Sequence, residues 1–469
     1  MKQFCLDKKS AIEARTCGFE SDEFMTRSML RATLAVSAVA LIPATTAAIS
    51  RVDATTYREF DQLISVFERV RAEYVEKVDD KVLIKGAIDG MLASLDPHSS
   101  YLDARDFEQM RVTTDGNYGG LGLSVSLEDG AVKVIAPTED TPAYRAGMKS
   151  GDYITHLDGV LIYGGTLDEA VDKMRGRPGT NIRLTVVRPG RDKPFDVTLT
   201  REIIELKPVK WEVKNGIGII NINGFSKATG SSVRSAITSI EKSLGRQPTG
   251  YVIDLRSNPG GLLDQAIEVS DAFLERGEIV SQRGRQKNDI ERYFARAGDY
   301  TRGLPLVVLV DSGSASAAEI VAGALQDHHR ALIMGERSFG KGSVQTLLPL
   351  DDTTALRLTT ARYYTPSGRS VQEGGIEPDV LVPQLSDPDY KSRPRFREAD
   401  LGRHLINEAK VDNSVLETDE KPDPRFAATA EQLKAKGVTD FQLSYALDTI
   451  GRLARTQTAV GTAGRKGSR

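Results

Sequence analysis

Hydrophobic positions in the early part of the chain recur at helical spacing. From Tyr57, the residues Phe60, Leu63, Ile64, Phe67, Val70 and Tyr74 fall mostly three and four apart, which predicts an amphipathic helix. A second helix is expected over residues 81–95 and stops at Asp96-Pro97, because proline biases its predecessor towards extended backbone. The period then changes. A glycine cluster, Gly116, Gly119, Gly120 and Gly122, leads into alternating strands through Leu121, Leu123 and Val125 and through Val132 and Val134. A short helix over residues 167–174 precedes a strand pair, 181–188 and 195–199, joined by a turn containing Pro189-Gly190.

Further on, continuous apolar runs replace the alternation. Residues 217–222 and 251–255 read as buried strands, 262–274 as a helix, 306–310 as a strand and 317–328 as another helix. Strands alternating with helices predict an α/β layer with helices packed on a sheet. Beyond Leu385 the chain is rich in charge and proline (Asp387, Pro388, Arg393, Pro394, Arg395) and reads as a linker. A last amphipathic segment, residues 441–453, is expected to dock on the protein or to join two copies of it. No internal repeat or low-complexity tract interrupts this order.

Composition narrows the possibilities. A chain of 469 residues holds two or three domains of ordinary size. Its 62 lysines and arginines nearly balance 65 aspartates and glutamates, a net charge of -3, which excludes a global basic field for nucleic acid or an anionic membrane. Near the start, Met25 is followed by Arg27 and Arg31, an apolar run from Ala32 to Ile42, Pro43 and the small residues Ala44 to Ala48. That order is the layout of a secretory signal, too short to span a bilayer, with cleavage expected near Ala48 and Met25 as the expected true start. The exported chain would function in the periplasm or envelope. Both cysteines, Cys5 and Cys17, precede this segment, so a cysteine nucleophile is excluded from the mature chain. The expected division is a leader over 1–48, a helical region over 49–112, a β-rich domain over 113–201, an α/β core over 202–384 and a linker with a helical tail over 385–469.

Candidate chemistry gathers where the strand over 306–310 runs through Asp311, Ser312, Gly313, Ser314 and Ala315 to Ser316 and then into a helix. Ser316 followed by Glu319 spells a capping box, and a simple helix cap is one reading of the serine. The other is a nucleophile, since free N–H groups and the helix dipole at that position stabilise an alkoxide and an oxyanion. A serine nucleophile needs a base. His328 and His329 lie roughly 18 Å along the helix, His156 sits in a strand and His404 in the charged tail, which leaves only His98 as a histidine alternative. Lys341, bracketed by Gly340 and Gly342, is the stronger candidate, provided that burial lowers its pKa from about 10.4 towards roughly 7 to 8. Phe339 and Val344 are expected to wall it, and Gln345 to orient the amine or a substrate amide. A phosphate-binding loop competes for the same lysine, through Gly335, Gly340 and Lys341. It fails at Gly342, where a magnesium-binding hydroxyl is required, and in the strand-like sequence beyond it.

The motifs around these residues resemble the carboxyl-terminal processing, or tail-specific, serine peptidases. The resemblance rests on Ser314-Ala315-Ser316-Ala317-Ala318-Glu319-Ile320, Phe339-Gly340-Lys341-Gly342-Ser343-Val344-Gln345 and Asp254-Leu255-Arg256-Ser257-Asn258-Pro259-Gly260-Gly261. Tyr364-Thr365-Pro366, Gly375-Ile376-Glu377-Pro378-Asp379 and Asp96-Pro97-His98-Ser99 extend it from about Tyr57 to Pro383. It implies an α/β multidomain protein with a crotonase-like catalytic core, an inserted PDZ-like domain and helical termini. It further implies Ser316 as nucleophile, Lys341 as general base, Gln345 as its assistant and the N–H groups of Gly260 and Ala317 as oxyanion hole. Ala318 stands where many members carry serine. The loop Gly119, Gly120, Leu121, Gly122 and Leu123 resembles the carboxylate-binding loop of a PDZ domain, so protein or peptide C-termini are the implied partners. No metal or cofactor is implied; a homo-oligomer is expected, and an activating adaptor is left open.

Overall fold

A computed structural model describes residues 54–409, apart from positions 129, 163 and 391, and residues 424–466. The expected leader lies outside the described residues. The chain divides into two units at Lys85/Gly86. In the first, helix α1 (Ala54–Glu73) fulfils the predicted amphipathic pattern and is followed by the start of α2 (Asp80–Ala93), with Arg71 and Asp80 paired at 3.2 Å. Tyr57, Phe60, Leu63 and Ile64 on α1 are all more than half exposed.

In the second unit, β1 (Ser100–Leu102) leads to α3 (Ala104–Asp115), which is capped by Asp103 and closed by Gly116 in the left-handed region at φ 73°. Next comes the β-rich domain. Strands β2 (Asn117–Gly120), β3 (Leu123–Glu128) and β4 (Ala131–Pro137) are followed by the short α4 (Pro142–Arg145), then β5 (Tyr153–Leu157), β6 (Val160–Leu161) and α5 (Leu167–Met174). Strands β7 (Asn181–Val187), β8 (Phe195–Thr200) and β9 (Glu202–Glu205) complete it. The main sheet runs β3-β4-β5-β7-β8, and β2 pairs antiparallel with β9, joining the domain's two ends. Val132, Val134, Ile154, Leu184 and Val186 fill its core and are fully buried. Helix α5 begins with the reciprocal Thr166/Glu169 capping box, which explains why its bounds match the sequence reading.

The core domain is built on a six-stranded sheet: β10 (Val209–Lys214), β11 (Ile217–Ile222), β12 (Tyr251–Asp254), β15 (Leu306–Val310), β16 (Leu332–Gly335) and β19 (Val380–Leu381), in that order. All pairs are parallel except β10 with β11. Its central strands are almost wholly apolar, β15 at every position, because both faces are covered. Ile220, Ile253, Val308 and Ile333 point to the layer of α6 (Thr229–Leu244), α7 (Leu263–Asp271) and α8 (Ala317–Asp327). Ile219, Val252, Val307 and Met334 point to the opposite face, where Leu443, Ala446 and Ile450 of the C-terminal helix α10 (Phe441–Lys466) pack; α9 (Ala430–Ala435) precedes it. The segment expected to dock or to join two copies therefore docks on its own chain. A second, antiparallel sheet holds β1, β13 (Gly277–Arg283), β14 (Ile290–Ala295), β17 (Ser343–Pro349) and β18 (Ala355–Tyr364).

Two stretches depart from the sequence pattern. Helix α6, rich in serine, threonine and glycine, has no strong intrinsic preference to announce it; Val233, Ala236, Ile237 and Ile240 hold it by burial against the sheet. The supposed linker beyond Leu385 folds back onto the core. Gln384 and Ser386 accept the Phe441 N–H at 3.0 Å and so cap α10, Glu398 is fully buried, and the Asn407 amide donates to the Gln372 carbonyl at 2.7 Å. Charge here marks paired groups, which composition cannot distinguish from solvated ones.

Candidate active site

Two loops leave the C-terminal ends of the neighbouring parallel strands β12 and β15 and are fastened to each other. The Asp311 carboxylate accepts the Ser257 N–H at 2.7 Å and the Gly313 N–H at 2.9 Å, the Ser314 hydroxyl donates to the Leu255 carbonyl at 2.8 Å, and the Ala315 N–H donates to the Asn258 carbonyl at 2.9 Å. This lattice holds Ser316 at φ 53°, ψ −112°, a backbone conformation that costs free energy in a residue with a side chain. Only half of the expected capping box serves as a cap. Glu319 accepts the Ser316 N–H at 2.7 Å, but the Glu319 N–H donates to the Ser316 carbonyl at 2.9 Å, so the serine hydroxyl is not engaged as a cap.

Glu319, fully buried, is also the point where the loop that carries Lys341 is anchored. Its carboxylate accepts the Ser338 hydroxyl at 2.6 Å, the Gly340 N–H at 2.7 Å and the Lys341 N–H at 3.0 Å. Burial pushes its carboxyl up to about 7, against the hydrogen bonds from Ser338, Gly340, Ser316 and Lys341 that pull it down. The Tyr363 hydroxyl lies within hydrogen-bond distance of both the Lys341 and the Ser316 carbonyls, the latter at 3.2 Å, so its one proton is shared between the two loops. Sequence reasoning took Glu319 for a cap residue and did not find Tyr363; a carboxylate three residues after a helix-start serine was the only signal available.

Ser316, Lys341 and Gln345 line one cleft of about 560 Å³, walled by Phe225, Leu262, Leu263, Ile320 and Val344. Of the two walls expected for the lysine, Val344 is in place and Phe339 is not among the lining residues. Desolvation lowers the Lys341 pKa; the carboxylates of Glu398, Glu319 and Asp96 oppose that shift and Arg357 adds to it. A β-bulge between Val344 and Gln345 turns the latter, whose amide nitrogen donates to the Ser343 hydroxyl at 2.9 Å and the Thr359 hydroxyl at 3.3 Å. The lysine leads into strand β17 and not into the helix that the phosphate-loop alternative required.

Gly260 approaches Ser316 closely. At φ 97°, a Cβ on it would stand 2.8 Å from the Ser316 Cβ and 3.0 Å from the Ala317 nitrogen. The two N–H groups expected to form an oxyanion hole differ in state: Gly260 donates to the Asn258 side-chain oxygen at 2.9 Å, while among the described residues nothing accepts the Ala317 N–H. The histidine alternative is absent from the cleft lining. His98 turns its Nε2 to Glu398 at 2.8 Å, and His328 caps α8 and bonds the Glu278 carbonyl at 2.7 Å.

The glycine loop of the β-rich domain lies outside this cleft. Gly119 and Gly120 belong to β2, Leu121 is buried, and Gly122 sits at φ 76°. The carbonyls of Leu121 and Gly122 accept N–H groups of Ala143 and Thr138, and among the described residues no acceptor takes the Leu121 or Gly122 N–H. Helix α3 reaches both places: Arg105 pairs with Asp172 of α5 at 3.0 Å, and Met110, Thr113 and Thr114 line the cleft.

Compared with known proteins, residues 216–382 match the model of peptidase family S41, residues 133–188 that of a PDZ domain, and residues 32–106 that of the activating protease CtpB N-terminal domain. The chain is 52% identical over 359 residues to a carboxy-terminal-processing protease of Bartonella bacilliformis, covering 76% of this chain and 83% of the relative. It is 35% identical over 389 residues to the carboxy-terminal processing protease CtpA of Bacillus subtilis, covering 81% and 82%. Among solved structures, the photosystem II D1 C-terminal processing protease is 29% identical, with a TM-score of 0.40, covering 68% of this chain and 92% of that one.

Proposed function

The chain belongs to peptidase family S41, with the carboxy-terminal processing proteases, as a serine-type peptidase that carries a PDZ domain, and we propose that it cuts protein tails with a Ser316/Lys341 dyad. The observation that carries this reading is the shared cleft. Ser316 and Lys341 line it together, and no histidine does. In the proposed reaction the neutral Lys341 amine takes the Ser316 hydroxyl proton as the oxygen attacks the scissile carbonyl. The resulting oxyanion is stabilised by the Ala317 N–H and, once Asn258 releases it, by the Gly260 N–H. The protonated lysine then gives its proton to the leaving amine, and water, deprotonated by the lysine, releases the acyl group. Gln345 orients the lysine or the substrate amide from β17.

Tail recognition is assigned to the loop Gly119, Gly120, Leu121, Gly122 and Leu123, in which the unengaged Leu121 and Gly122 N–H groups suit a terminal carboxylate while the peptide adds as a strand. Export to the periplasm or envelope is inferred from the leader-like segment ending near Ala48, and self-association from the exposed apolar stripe of α1. The test is a digest of envelope proteins by wild type, Ser316→Ala and Lys341→Ala, read by mass spectrometry. Both variants stay folded and lose cleavage. Full activity in Lys341→Ala refutes the dyad, and equal affinity for free and amidated C-terminal peptides refutes the tail-binding loop.

A further inference from the structure

Lys341 is held on both flanks by a residue encoded 57 positions later (398 − 341 = 57). The Glu398 N–H donates at 3.0 Å to the carbonyl of Phe339, two residues before the lysine. Its carboxylate accepts the Gln372 amide at 3.1 Å, and the Gln372 side-chain oxygen in turn accepts the N–H of Gly342, the residue after the lysine, at 2.9 Å. The same carboxylate meets His98 Nε2 at 2.8 Å, and the His98 carbonyl accepts the Arg357 side chain at 3.1 Å. Glu398 and Gln372 are fully buried, so the bond between them is shielded from water.

We propose that Glu398 is a positioning residue for the base: by gripping Phe339 directly and Gly342 through Gln372, it sets the loop that presents Lys341, and residues 396–409 thereby complete the active site. The proposal rests on Lys341 being the base. It also makes the C-terminal return of the chain a functional part of the peptidase, joined to the early Asp96-Pro97-His98-Ser99 segment. Electrostatics support it. The titratable and charged groups facing Lys341 are Glu398, Glu319, Asp96 and Arg357, and those facing Glu398 include His98, His404, Lys341 and the neutral Tyr363. Among them Glu398 is the largest influence favouring the ammonium form, against the desolvation that favours the amine.

The experiment measures kcat/KM against pH for a fluorogenic peptide, with Tm alongside, in the full chain and in Glu398→Gln, Glu398→Ala and Lys341→Ala. Glu398→Ala, which leaves the backbone bond to Phe339 and removes the side-chain hold on Gln372 and through it on Gly342, loses about tenfold or more at every pH, the loss expected for a charge-assisted hydrogen bond that holds a reacting group. Glu398→Gln keeps the shape and removes the charge, so its acidic limb moves to lower pH, a change that a purely structural role does not produce. Wild-type limbs in both variants, or activity that falls only in step with Tm while the limb stays fixed, overturn the proposal. Activity retained in Lys341→Ala overturns the dyad and the proposal with it, whereas an inactive Lys341→Ala beside an unmoved Glu398→Gln limb sinks the positioning role alone.

Discussion

Replacing Glu319 by glutamine tests whether one buried carboxylate holds the nucleophile and the base in register. One carboxylate oxygen receives the Ser316 and Lys341 N–H groups, and the other receives the Ser338 hydroxyl and the Gly340 N–H. Glutamine keeps a single acceptor oxygen. If its NH₂ faces Ser338 and Gly340, the hydroxyl can turn to accept, and the Gly340 N–H is orphaned; in the other orientation two N–H groups are orphaned. An orphaned buried N–H costs about 1–3 kcal/mol, and the two surviving bonds lose their charge assistance, about 1 kcal/mol each. The lost bonds cost about 3–5 kcal/mol in the better orientation, and removing a buried charge whose desolvation pushes the carboxyl up to about 7 offsets about 2 kcal/mol of this, leaving a net loss of about 1–3 kcal/mol against the 5–15 kcal/mol typical of a domain. The assay is urea unfolding at pH 8, above the value of about 7 to which burial pushes the carboxyl, monitored by fluorescence of Trp211, the single tryptophan, on strand β10 of the core sheet. With a slope of about 2–3 kcal/mol per molar, the midpoint falls by about 0.5–1 M. Peptide hydrolysis falls as well, because the Gly340 N–H, next to Lys341, loses its partner and the loop that presents the lysine loosens. A midpoint within about 0.3 M of wild type, with an unchanged rate, refutes this account of how the two loops are joined.

The same geometry sets three further outcomes. Activity rises with pH through the depressed Lys341 pKa, because burial disfavours the ammonium and the amine is the active form; a limb at the histidine value of roughly 6.5 in kcat/KM, still present in Lys341→Arg, contradicts this. Gly260→Ala abolishes hydrolysis while binding of a C-terminal peptide, read by fluorescence anisotropy, is unchanged, since the added Cβ would sit 2.8 Å from the Ser316 Cβ and outside the glycine loop; wild-type turnover would show that the two loops do not meet as described. Ala446→Asp places an unpaired charge against Val252, Val307 and Leu309 and lowers stability by about 3 kcal/mol or more, read as a lower Tm; a Tm equal to wild type denies that α10 docks on the sheet.

Local chemistry is the part of this protein that its sequence dictates unaided. The β15 strand, the helix after Ser316 and the capped helix α5 were legible because apolar runs and caps act within a few residues. The Ser316 and Lys341 motifs were legible because glycine spacing and a serine at a helix start are local signals. Folding settled the rest. Ser316 and Lys341 meet because the loop after β16 turns back on the Glu319 carboxylate, an interaction across 22 residues that no periodicity records. Glu398 and His98 meet across 300 residues in a stretch whose composition reads as linker and in a motif whose histidine seemed a spare base. Helix α6 exists because the sheet covers its apolar side, and α10 turned out to belong to this chain's own core because alternate residues of the central strands had a second face to bury. A charged residue in sequence carries no mark of whether water or a buried partner will satisfy it; only the folded chain supplies the partner, and here those partners fasten the loop around Lys341.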